Sequence, residues 1–164
     1  MRIAVFSDTH GNVIIMEKTI KTMGSVDLLI HAGDFYRDAV KISQQLSLKM
    51  EAVVGNCDYP SVEPQELFLD LEGVKVYVTH GHQLDPGDFY NSLIHKGREA
   101  KADLVIFGHT HLASRFERDE MIFFNPGSIS SPRMGSGPTY GLIELNGGTI
   151  TAEIREVTGS QGTP

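Results

Sequence analysis

Five short islands in the chain carry side chains suited to chemistry: Asp8-Thr9-His10, Gly33-Asp34, Gly55-Asn56-Cys57-Asp58, Thr79-His80-Gly81-His82 and Gly108-His109-Thr110-His111. Their donors are carboxylate and amide oxygens and imidazole nitrogens, the set that holds divalent cations. Taken alone, each island is an ordinary turn or helix-cap sequence. Together they suggest a two-metal site, because each follows an apolar run and all can meet at one sheet edge. In Asp8-x-His10 and His109-x-His111, an extended backbone would point both side chains of a pair to the same side. Glycines at 11, 33, 55, 81 and 108 adjoin the candidate ligands, where a residue without Cβ allows a sharp turn or a close approach.

The elements that must position these islands follow from the apolar pattern. Ile3 to Phe6 reads as a strand, and Gly11-Asn12 opens a helix with Met16, Ile20 and Met23 on one face. The unit recurs: Leu28 to Ile30 leads through Gly33-Asp34 to a helix with Val40 and Leu46 inward, and then Ala52 to Val54 ends at Gly55-Asn56. Such repetition predicts parallel strands with crossover helices, whose carboxyl ends are where α/β proteins place their sites. Leu67, Leu69 and Leu71, then Glu72-Gly73, then Val74, Val76 and Val78 read as an antiparallel hairpin. A helix is expected from Asp88 to Ala100, a strand from Leu104 to Phe107, and further strands near Met121 to Phe124 and Gly141 to Leu145. Gly147-Gly148 would turn the last of these into a strand from Ile150 to Val157. The expected fold is α/β: two packed mixed sheets flanked by helices, in a single domain over 1–157 with a flexible tail over 158–164.

The chain has 164 residues, 40% of them hydrophobic and 21% charged, which are ordinary globular values. With 21 acidic residues against 14 basic, a net charge of -7 and no basic block, general binding to nucleic acid or an anionic membrane is not expected. Apolar runs are far shorter than the roughly 20 residues of a membrane span. Cys57 stands alone, so no internal disulfide is expected, and no leader is legible ahead of Asp8. Cytoplasmic location is the resulting expectation.

In order and in residue type, the islands resemble the five blocks of the calcineurin-like metallophosphoesterase superfamily: Asp-x-His, Gly-Asp, Gly-Asn-x-Asp/Glu, His and Gly-His-x-His. The resemblance spans roughly residues 3 to 128. Small size and the Asn125-Pro126-Gly127-Ser128 segment are similar to the compact prokaryotic phosphodiesterases of the YfcE type. The resemblance implies an α/β/β/α sandwich in which Asp8, His10, Asp34 and His111 hold one metal. Asp34, Asn56, His80 and His109 would hold the other, with Asp34 bridging. It further implies two divalent transition metals, manganese first, with Ni, Co, Fe and Zn as alternatives. Cations about 3.5 to 4 Å apart would share a hydroxide held at Asp34 that attacks phosphorus, with no side-chain nucleophile.

The wider superfamily commonly has His after the ligand Asn, where this chain has Cys57. A thiol with an unperturbed pKa near ~8.5 cannot donate as imidazolium does, so activated phosphodiesters are expected over alkyl phosphomonoesters. Cys57, Asp58 and His82 are candidates for substrate contact or ligand support, with Asp58 placed to orient His10 or another ligand. His31 is read as a packed neighbour and His95 as exposed. Asn125 to Ser128 is read as a structural turn. Phe35, Tyr36 and Tyr59 would wall the cleft or pack in the core, and Ser130 to Pro138 would border it. The expected substrate is a small phosphodiester. The alternatives are a phosphomonoesterase or a non-catalytic scaffold, the use to which the retromer subunit Vps29 puts this fold. The apolar hairpin from Leu67 to Val78 suggests homo-oligomer formation.

Overall fold

β-Branched and aliphatic runs in the first third form strands β1 (Arg2–Phe6), β2 (Leu28–Ala32) and β3 (Lys49–Val53), joined by helices α1 (Val13–Thr22) and α2 (Tyr36–Leu46). Then come β4 (Glu66–Leu71), β5 (Val74–Thr79), α3 (Phe89–Glu99), β6 (Leu104–Phe107) and β7 (Ser114–Arg118). The order closes with β8 (Met121–Asn125), β9 (Thr139–Asn146) and β10 (Thr149–Glu156). The structure is a computed structural model that describes residues 1–157, so the expected tail over 158–164 lies outside the described residues.

The strands make two five-stranded sheets, ordered β10-β9-β1-β2-β3 and β4-β5-β6-β8-β7. Each has three parallel strands and antiparallel company: β1, β2 and β3 in one, β5, β6 and β8 in the other. The fold is therefore the expected sandwich of two mixed sheets with helices outside. Ile3, Val5 and Ile30 of the first sheet meet Val76, Val78, Ile106 and Phe124 of the second in one buried layer. Full burial of such side chains stabilises the fold by ~1.5–3 kcal/mol each. The outer face of the first sheet packs on α1 and α2 through Phe6, Met16, Ile20, Ala39 and Ile42. The second sheet packs on α3 through Tyr77, Leu93, Phe107 and Phe123.

The hairpin register pairs Leu71 with Val74, and the turn takes left-handed φ at both central residues, Glu72 at 53° and Gly73 at 82°. That geometry matches the twist of paired strands. Its leucines are partly buried against the core, so the apolar face expected there is reduced mainly to Phe68, which stacks on Tyr77 with ring centroids 5.2 Å apart. Two expectations need correction. In α2, Ala39 and Ile42 are the fully buried positions while Val40 is only half-buried, because the helix begins at Tyr36 and its phase turns Val40 toward the loop after β3. Strand β7 was not expected: Phe116 is its one large apolar residue, and as an edge strand it keeps Arg115, Glu117 and Arg118 in solvent. Among the described residues no helix is long and apolar enough to cross a membrane.

Candidate metal centre

All five islands lie just past the carboxyl ends of strands: Asp8 after β1, Asp34 after β2, Asn56 after β3, His80 after β5 and His109 after β6. Two sheets thus deliver their ends to one cleft. The backbone that does so is not extended. Asp8 (φ 53°), His10 (45°), Asp34 (58°), His109 (67°) and His111 (57°) all take left-handed conformations, which corrects the expected same-side spacing of each pair. Such backbone costs on the order of 1–3 kcal/mol per non-glycine residue, and the fold around the cleft must hold it in place. Gly33 at φ 93° and Gly55 permit the closest approaches. A Cβ on Gly33 would lie 2.5 Å from His80 Nδ1, and one on Gly55 would lie 2.1 Å from Asp34 Oδ1.

Asp8, His10, Asp34 and His111 each offer a ligand atom, and these atoms lie within 4.8 Å of one another. Asp8 is fixed on one oxygen only: Oδ2 accepts from Ser7 Oγ at 2.6 Å and from the His109 N–H at 3.1 Å. Oδ1 is buried and has no hydrogen-bond partner among the described residues, although His111 Nε2 is 3.1 Å away and His80 Nε2 is 4.0 Å away. His111 Nδ1 faces the Ser131 carbonyl at 2.8 Å, and His80 Nδ1 faces the Ala32 carbonyl at 2.8 Å. Each Nδ1 therefore carries the proton of the neutral ring, and each Nε2 turns a lone pair toward the cleft. His80 Nε2 meets Asp34 Oδ1 at 3.4 Å and Asn56 Oδ1 at 3.3 Å, all acceptors. A cation among them would satisfy every one, so the donor set fits divalent metal.

The same crowding shifts the ionisation of these groups. Burial pushes Asp8 up, but the positive charge that His111 and His80 carry when they are protonated, together with the Ser7 hydroxyl, outweighs it and holds the carboxyl below its usual range. His111 is raised, chiefly by Asp8. His109 is lowered by burial and by His80. His109 Nδ1 lies 3.1 Å from Asn56 Oδ1, and Asn56 itself is exposed.

The remaining expected residues divide. His82 is partly buried beside His80 and His109, with ring centroids 5.4 and 6.5 Å away, and its Nδ1 has no partner among the described residues. Cys57 donates its backbone N–H to Asp34 Oδ1 at 2.8 Å. Its thiol is pushed up to about 11 by desolvation and then by Asp34, so it stays neutral. Asp58 does not orient His10: its oxygens accept from the backbone N–H groups of Tyr36 at 2.8 Å and Gly55 at 2.9 Å, tying α2 to the loop after β3. His31 is fully buried and His95 is exposed, as expected. Phe35 edges onto His10 with centroids 5.1 Å apart, and Tyr59 stands in solvent, whereas Tyr36 packs against the helical core.

Sequence reasoning missed the anchors of the loop from Asp8 to Gly11. Asp38 Oδ2 accepts from Thr9 Oγ1 at 2.7 Å and from the Gly11 N–H at 2.8 Å. Ser128 and Ser130 donate to the Asp8 carbonyl at 2.7 and 3.0 Å. Asp38 carries no local signal, since an Asp in the first turn of a helix is ordinary. Ser128 lay in the segment read as a structural turn, and the sequence did not place the stretch from Ser130 to Pro138, so neither partner of the Asp8 carbonyl was visible.

Residues 1–148 match the calcineurin-like phosphoesterase superfamily domain. The phosphodiesterase YfcE of Escherichia coli is 28% identical to the chain, the alignment covering 94% of this chain and 97% of that one. A crystal structure from Streptococcus pneumoniae, a predicted phosphoesterase, superposes with TM-score 0.80 and 29% identity, covering 97% and 93% of the two chains. Vps29 of Entamoeba histolytica in complex with zinc shares the fold, with TM-score 0.75 at 21% identity over 96% of this chain and 100% of that one. The match over nearly the whole chain, together with strand ends that converge on one cleft, makes this protein a member of the calcineurin-like phosphoesterase superfamily, related to its YfcE-type phosphodiesterases.

Proposed function

We propose that the protein is a metal-dependent phosphodiesterase that hydrolyses small phosphodiesters at a centre of two divalent cations. Asp8, His10, Asp34 and His111 would hold one cation; Asp34, Asn56, His80 and His109 would hold the other, with Asp34 common to both. Manganese is the leading candidate, with Ni, Co, Fe and Zn as alternatives. The observation that carries this reading is Asp8 Oδ1, a buried carboxylate oxygen with no hydrogen bond among the described residues, beside two imidazole nitrogens that direct lone pairs toward it. Cations held there would supply Lewis acidity, activating water for attack at phosphorus and screening charge on the phosphate oxygens.

The chain's own residues supply position and selectivity. Asp34 is pinned by the Cys57 N–H, so its second oxygen stays directed toward His10, 4.0 Å away. The neutral Cys57 thiol lies where a histidine could protonate a leaving group, and a thiol held near 11 does this poorly. Diesters with good leaving groups are therefore preferred over alkyl monoesters. A single domain over 1–157 in the cytoplasm completes the proposal.

Metal-stripped protein titrated with Mn²⁺ should hydrolyse bis-p-nitrophenyl phosphate, and Asp34→Asn should not. A protein that retains no transition metal and turns over no diester with Mn²⁺, Ni²⁺, Co²⁺ or Zn²⁺ would instead be a scaffold on this fold.

A further inference from the structure

Next to the candidate ligands, on the α2 side, a cavity of about 290 Å³ is lined by Phe35, Arg37, Cys57, Asp58, Tyr59 and Pro60. Two of its wall residues touch the candidate ligands. Cys57 on its wall donates to Asp34 through the backbone, and Phe35 on its wall edges onto His10. The lining differs in kind from the centre. Phe35, Tyr59 and Pro60 present flat apolar faces, with Tyr59 88% and Phe35 37% exposed. Tyr59 at that exposure gains little from folding, so packing does not account for its aromatic ring.

Arg37 adds a planar cation. Among the described residues it forms no ion pair, while seven other lysines and arginines do. Asp58, the carboxylate in the lining, is occupied by the backbone N–H groups of Tyr36 and Gly55. The guanidinium is left free to stack on a ring or to donate to its edge. A second cavity of about 440 Å³ continues past Arg37 along α2, lined in part by Val40, Lys41 and Val62.

We propose that the smaller cavity seats one arm of the phosphodiester, and that the arm it fits is a nucleoside. This rests on the phosphodiesterase reading of the adjoining centre. Its volume lies near the lower end for small-molecule sites and suits one ring system with its sugar. Aromatic faces and a guanidinium recognise a base by stacking, without reading its identity. An acyl chain would require a long apolar groove, and here the apolar faces alternate with Arg37 and Asp58.

The test compares two esters with one leaving group, thymidine 5′-(p-nitrophenyl phosphate) and methyl p-nitrophenyl phosphate. In each, water adds to phosphorus as the bond to p-nitrophenolate breaks, so only the retained arm differs. The expected result is a preference in kcat/KM for the thymidine ester of about tenfold. Tyr59→Ala and Arg37→Met should each bring that ratio toward one; both sites are exposed, so the variants should fold. Turnover of both esters without preference, or a preference that both variants keep, overturns the nucleoside subsite alone. Turnover of neither ester with any of the metals overturns the phosphodiesterase reading and the subsite with it.

Discussion

The inner half of the cleft, Asp8, His10, Asp34 and His111, and the outer half, Asn56, His80 and His109, meet where the strand ends of both sheets converge but are held differently. In the inner half, the loops of Asp8 and His111 are fastened from behind: Asp38 grips Thr9 and Gly11, Ser128 and Ser130 grip the Asp8 carbonyl, and Ser131 fixes His111. In the outer half, His80 is fully buried and fixed by Ala32, whereas Asn56 is exposed and touches chiefly its own neighbours, His80, His109 and Cys57. Under the proposed two-metal reading, the inner half would be preorganised for its cation. On the same reading the outer half would exchange the Asn56 contacts for metal and bind its cation more weakly and second.

The widest effect should come from the residue the halves share. Asp34→Asn keeps the shape and an acceptor for the Cys57 N–H, yet removes the charge from both halves. Turnover of bis-p-nitrophenyl phosphate should fall by ~10³-fold or more, with metal content dropping below one per chain. Retention of two metals in this variant would break the idea that the halves meet at Asp34. Asn56→Ala should remove one metal and leave the other, with kcat lower by ~10²-fold. Loss of both would show that the halves are not separable.

Asp38→Ala tests what fastens the inner half. Metal affinity there should weaken by ~10–100-fold while the outer half is spared, and Asp38→Asn, which still offers an oxygen to Thr9 and Gly11, should restore much of it. Calorimetric titration with Mn²⁺ reads both numbers.

The same network predicts a pH response of stability. His31, which meets Thr9 Oγ1 at 3.1 Å, is held neutral by burial, with its pKa lowered from 6.5 to about 4. The unfolded chain binds this proton first, so stability is fully present above 6.5 and declines as pH falls from 6.5 toward 4. Urea midpoints across that window should show the decline, and His31→Asn should flatten it. The smallest expected change is at Cys57→His, where monoester hydrolysis should rise several-fold relative to diesters as an imidazolium becomes available for the leaving group. No gain would mean that the thiol is not what restricts the outer half.

Much of the fold was legible because it is written in local patterns. Alternating leucines and valines around Glu72-Gly73 specified the hairpin, and repeated strand, loop and helix units specified the parallel strands. Strand β7 was not legible, since an edge strand with one partly buried aromatic has no apolar alternation to read. Val40 misled for a related reason: helix phase depends on where the first turn begins, and here that is set by the left-handed Phe35.

The sequence by itself determined the chemistry of the cleft. It supplied carboxylates, an amide and imidazoles without thiolate ligands, at the ends of successive strands, and that combination is enough to indicate divalent metal. Tertiary structure alone decided how those groups are aimed. The partners that set each ring and loop are distant in the chain: Ala32 for His80, Ser131 for His111, Asp38 for Thr9 and Ser128 for Asp8. A hydrogen bond reaches about 3 Å through space and takes no account of separation along the chain, so only the packed sheets bring these pairs together.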